Sequence, residues 1–213
     1  VFRRRRRREQ PEQTVAEAPA PAPMREHGPW DADEPHPDHD RIDLGGMRLP
    51  HNSAFDIRLA SVGDQHVGVV VLYQESSLQL QALAAPKSSG LWEEIRAKIQ
   101  GAASTLEERE GPFGIELAGK VTVEGGERPV RYLGVDGPRW FLLGVINGRA
   151  AVDEQIAQEF IDFMKDIVVV RGDEPMAREE SIPLRRPNEQ PAAEVPQREV
   201  NPFRRGPEIS EIR

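Results

Sequence analysis

Proline is almost confined to the two ends of this chain, and that decides where a sheet or a long helix can form. Of the 19 prolines, eight lie in residues 1–50 and seven in 173–213, leaving Pro86, Pro112, Pro129 and Pro138 between them. Proline fixes φ and removes a backbone donor, and stretches dense in proline and charge bury too little apolar surface to offset their ordering entropy. The composition therefore divides the chain into a disordered tail at 1–50, a single α+β domain at 51–172 and a disordered tail at 173–213. A middle of about 120 residues can bury roughly two-thirds of its unfolded surface, enough for one core without disulfides or a structural metal.

Within the middle, hydrophobic periodicity predicts the elements. Phe55, Ile57 and Leu59 alternate with Asp56, Arg58 and Ala60, Val67 to Tyr73 is a nearly continuous β-branched run, and Leu78, Leu80 and Ala82 resume the alternation. These are three antiparallel strands. After Pro86, Ser88 or Ser89 caps a helix with Glu93 and Glu94 in its first turn and Leu91, Ile95 and Ile99 on one stripe. Strands at Gly114–Glu124, Pro129–Val135 and Arg139–Ile146 follow. Asp153 then caps a second helix carrying Ile156, Phe160, Phe163 and Ile167, and Val168–Val170 is a closing strand. The expected fold is an antiparallel sheet of six to seven strands with both helices packed on one face, in the order βββα-βββα(β). In Trp140–Ile146 both sides of the strand are apolar, which makes it central.

The net charge of −8 is unevenly spread. Arg3, Arg4, Arg5, Arg6, Arg7 and Arg8 form one cationic run, and residues 51–172 are acidic. An acidic domain argues against a nucleic-acid-binding face on the fold, whereas the arginine run can approach phosphates weakly and without sequence preference. There is no cysteine, which fits a reducing cytoplasm. No apolar run of the length a signal peptide or membrane span needs is present, so the expected location is cytoplasmic.

Four segments in one order, Leu78–Arg96 (LQLQALAAPKSSGLWEEIR), Glu110–Leu117 (EGPFGIEL), Val135–Leu142 (VDGPRWFL) and Asp166–Gly172 (DIVVVRG), resemble an actinobacterial family catalogued only as a domain of unknown function. The similarity runs from about Gly28 to Pro187. It implies an actinobacterial cytoplasmic protein and brings no activity, cofactor or catalytic residue with it.

The residues themselves offer few sites. Only His51 and His66 are available as histidines in the middle, and no nucleophile, metal or phosphate-loop spacing is present, so no cofactor is expected. The best ligand candidate is the loop before the first helix, where Lys87, Ser88, Ser89 and Gly90, completed by Arg139 or Arg149, offer amides, hydroxyls and charge to an anion. The plainer reading is an ordinary helix cap. In the acidic stretch Asp31–Asp43, His36 and His39 stand at metal-ligand spacing but are interrupted by Pro35 and Pro37, so it reads as a solvated linker. Two function classes follow. The first is a non-enzymatic binding or adaptor module whose partner is another protein. The alternative is a small-anion sensor or carboxylate enzyme with a site near residues 85–90, drawing on a set such as Asp136, Arg139 and Glu116.

Overall fold

Ordered structure begins well before residue 51. The computed structural model describes residues 26–86, 90–103 and 105–187, and in it β1 (Trp30–Asp31), β2 (Arg41–Asp43) and β3 (Met47–Pro50) are paired strands. Composition averaged over 50 residues hides the few that matter here: Trp30, Leu44, Met47 and Leu49 are all buried. The expected tail boundary at residue 50 is therefore corrected, since four large apolar side chains are enough to anchor an otherwise polar segment.

The predicted meander follows as β4 (Asp56–Val62), β5 (Gln65–Tyr73) and β6 (Ser76–Ala84), and then α1 (Leu91–Ala102). The second group has four strands where the periodicity predicts three: β7 (Leu106–Gly111), β8 (Gly114–Val123), β9 (Gly126–Gly137) and β10 (Trp140–Gly148). β7 reads Leu-Glu-Glu-Arg-Glu-Gly, and with one apolar residue on a sheet edge it carries no strand signal. α2 (Glu154–Lys165) and β11 (Val168–Val169) complete the fold. As expected, the Asp153 carboxylate caps α2 by accepting from the Gln155 amide at 3.1 Å.

The class is α+β. One sheet has seven antiparallel strands in the order β4-β5-β6-β10-β9-β8-β7, so two meanders meet where β6 pairs with β10. A smaller sheet runs β1-β11-β3-β2, and β11, which closes the chain pattern as expected, joins this sheet and not the large one.

The helices lie on opposite faces of the large sheet, which corrects the one-face expectation. In β10, Trp140, Leu142 and Ile146 join the cluster of Phe160, Phe163 and Met164 from α2, while Phe141 and Leu143 join Leu91, Trp92 and Ile95 of α1. A strand apolar on both sides needs a cover on each. The face under α2 also carries the small sheet, through Leu44, Met47, Leu49 and Val169.

The segment after residue 172 is part of this packing, so the second tail boundary is corrected as well. Ile182 donates to Ala82 and Leu184 to His66, both at 2.9 Å, and Arg185 donates to Leu44 at 2.8 Å. Residues 179–185 thus run along β6, reach the start of β5 and end at the small sheet, with Ile182 and Leu184 buried.

Gly134 fixes how closely α1 approaches. A Cβ there would lie 2.3 Å from the Trp92 ring, which stacks on Phe141 and donates through Nε1 to the Ile115 carbonyl at 2.6 Å. With the ring held on two sides, Gly134→Ala should destabilise the fold by about 1–3 kcal/mol. An unchanged urea midpoint would show that the helix can shift instead.

Candidate functional site

The anion-loop candidate is only partly within the described residues. Lys87, Ser88 and Ser89 lie outside them, as do Arg3 to Arg8. Gly90 is the residue at the N-terminus of α1, with φ 112°, and no side chain caps from that position. The cap comes from across the sheet: Asp136 at the end of β9 accepts from the Gly90 amide at 3.2 Å and the Trp92 amide at 3.3 Å. The negative charge that a helix start attracts is supplied by the chain itself. Arg139 does reach this corner, because its carbonyl accepts from the Ala85 amide at 2.9 Å. Its guanidinium points elsewhere, 3.4 Å from Asp173.

Glu116 is not brought to Asp136 and Arg139. It is 2% exposed on β8, beneath α2's side of the sheet, and is held by two arginines. Arg131 of β9 donates Nε and Nη2 to its two oxygens, both at 3.1 Å, and Arg109 of β7 donates Nε at 2.5 Å. Arg131 is itself 2% exposed and gives Nη1 to Glu154 at the start of α2, 3.0 Å away. Two guanidinium groups and two carboxylates thus cancel one another. A shallow cleft of about 390 Å³ beside them is lined by Arg109, Glu110, Arg131 and Glu154. Sequence reasoning missed Arg131, although a charge inside the apolar run Val130-Arg131-Tyr132-Leu133 marks an interior position.

The segments that carry the resemblance turn out to be joints. EGPFGIEL makes the β7–β8 hairpin, presenting Glu116 to its arginines and the Ile115 carbonyl to Trp92. VDGPRWFL contributes the Asp136 cap and Trp140, whose Nε1 donates to the buried Asp31 carboxylate at 2.6 Å. The acidic stretch is likewise structural: Arg41 donates Nε to the Asp166 carbonyl at 2.8 Å, and its Nη2 and His39 both bond the Asp166 carboxylate. Among the described residues, no three of the metal-ligating types converge.

Among the described residues, part of one sheet face is left uncovered. α1 covers Leu83, Phe141 and part of Tyr132, whose phenol burial raises above its ordinary pKa. Beyond the end of the helix, Ser77, Gln79, Val121, Val123, Asn147 and Val152 line an open groove of about 560 Å³. Val123 is 39% and Val152 74% exposed, and Arg128 and Arg149 stand at the rim. Arg149 is paired with Asp153 at 3.3 Å, which leaves Arg128 as the cation at the edge of this partly exposed aliphatic floor, a surface that suits an apolar segment carrying a carboxylate.

A family model described as protein of unknown function (DUF3710) matches residues 28–193. No curated protein matches the chain. The solution structure of cyanobacterial PsbP (CyanoP) from Synechocystis sp. PCC 6803 is 12% identical, with a TM-score of 0.41, covering 61% of this chain and 91% of that one. A likeness at that level carries nothing about function. Among the described residues, no helix is long and apolar enough to cross a membrane.

Proposed function

We propose, for a chain that belongs to the DUF3710 family of proteins of unknown function, a non-enzymatic role as a cytoplasmic binding or adaptor module. The observation that carries this reading is the asymmetry of the large sheet. One face is packed under α2 and the small sheet, while on the other, among the described residues, α1 covers Leu83, Phe141 and the Leu106–Leu117–Val130 cluster and leaves Val123 and Val152 exposed beside neutral polar side chains. The described charged clusters support it further, because their groups are engaged with one another: Glu116 with Arg131 and Arg109, and Asp136 with the start of α1. The partner is another protein, presenting aliphatic side chains next to a carboxylate.

A photo-crosslinking amino acid at position 123 or 152 tests the reading, with position 162 on the wet side of α2 as control. In extracts of the source organism, positions 123 and 152 should trap one and the same protein, and Val123→Glu with a crosslinker at 152 should remove that product. Equal trapping from position 162, or no discrete product from either groove position, overturns the proposal. The run Arg3–Arg8 lies outside the described residues; on its charge alone we propose weak contact with nucleic acid through it, without sequence preference.

A further inference from the structure

The large sheet has two edges, β7 and β4, and they are built differently. An edge strand offers unpaired N–H and C=O groups to any second strand, and charge is one of the means that blunts it. In an antiparallel pair of identical strands about a two-fold axis, residues that oppose each other lie on the same face. For β7, Glu107, Glu108, Arg109 and Glu110 are consecutive, so a two-fold axis through 107, 108 or 109 sets a residue against its own like charge. That edge repels itself.

β4 does not. It has no lysine or proline, among the described residues its ladder partner is β5 alone, and its outermost residue Val62 is 71% exposed. Asp56 and Arg58 project from one face, both exposed, with Arg58 Nε and Nη2 at 3.0 and 2.6 Å from Asp56 Oδ2. A two-fold axis through Ile57 places Asp56 opposite Arg58 of the second copy, and Arg58 opposite its Asp56. Shifting the axis to Arg58 opposes the two arginines. Shifting it again to Leu59 brings the irregularity between Ala60 and Ser61 into the ladder.

We propose that β4 is a self-association edge, on which two copies of this chain pair antiparallel about Ile57 and join their seven-stranded sheets. Charge selects the register, because only the Ile57-centred one offers two complementary ion pairs without the β4 irregularity. Within β4 the overlap is Asp56–Arg58 of each chain, with Leu59 opposite Phe55 beyond the strand end, so the contact belongs to the small, weak class of interfaces, with a dissociation constant on the order of 10–100 μM.

Sedimentation equilibrium of the full chain from about 1 μM to about 1 mM should show a monomer–dimer equilibrium in that range, weakened by salt. D56R and R58D should each raise the dissociation constant roughly tenfold, because each sets like charges opposite one another. An equimolar mixture of the two variants should associate at least as tightly as the unaltered chain, since the mixed pair restores opposite charges at both contacts. A chain that stays monomeric throughout, a single variant that dimerises undiminished, or a mixture that fails to recover overturns the proposal.

Discussion

A chain cut to residues 51–172 is expected to lose cooperative folding, although composition assigns all of the structure to that stretch. The cut removes Trp30, Leu44, Met47, Leu49, Ile182 and Leu184, each buried at 7% exposure or less. Burial of such side chains stabilises by about 1.5–3 kcal/mol apiece, so together they contribute roughly 9–18 kcal/mol before ordering costs. A domain of this size has a net stability of only about 5–15 kcal/mol. The cut also removes both partners of β11, β1 and β3, and leaves Phe163, Met164 and Val169 without their cover. A chain spanning 26–187 should melt cooperatively close to the full-length protein, while 51–172 should show no sharp transition by near-ultraviolet circular dichroism. A cooperative melt of 51–172 near the full-length midpoint would contradict the role given to the flanking segments.

The second large effect is expected at Glu116. Arg131 is 2% exposed and depends on both Glu116 oxygens, so Glu116→Ala leaves a guanidinium in the interior with only Glu154 beside it. Breaking a buried pair from one side costs about 3–5 kcal/mol, most of it the uncompensated charge. Removing both sides is different. In Glu116→Leu with Arg131→Met the penalty of burying charge disappears, and Arg109 at 46% and Glu154 at 70% exposure can turn to water. The double variant should recover most of the loss in chemical denaturation. A single variant within about 1 kcal/mol of the unaltered chain would show that water reaches Arg131.

Residues that act through their neighbours in sequence were legible beforehand. The period-two runs at Phe55–Leu59 and Leu78–Ala82, the stripe of α2 and its Asp153 cap each declare themselves within ten residues, because strand and helix geometry repeat over that range. β7 was not legible, since an edge strand wet on one side needs only Leu106 to hold it. The charged cluster and the Asp136 cap were not legible either. Apart from Arg109 and Glu116, which face each other across one hairpin, their partners lie 15 to 46 residues apart, and the pairing of β8 with β9 and the packing of α1 and α2 bring them together.

The sequence by itself determined that this chain forms antiparallel strands and two amphipathic helices, because side-chain alternation is a local property of the backbone. It also showed that Trp140–Ile146 must be covered on both sides. Only the tertiary structure decided which helix covers which face, and that segments on both flanks complete the core. It also decided that, among the described residues, Val123 and Val152 stay exposed on one face of the sheet. Those outcomes depend on where a few isolated apolar side chains and paired charges meet across the fold, and burial free energy is gained at the meeting place, which no window of the sequence contains.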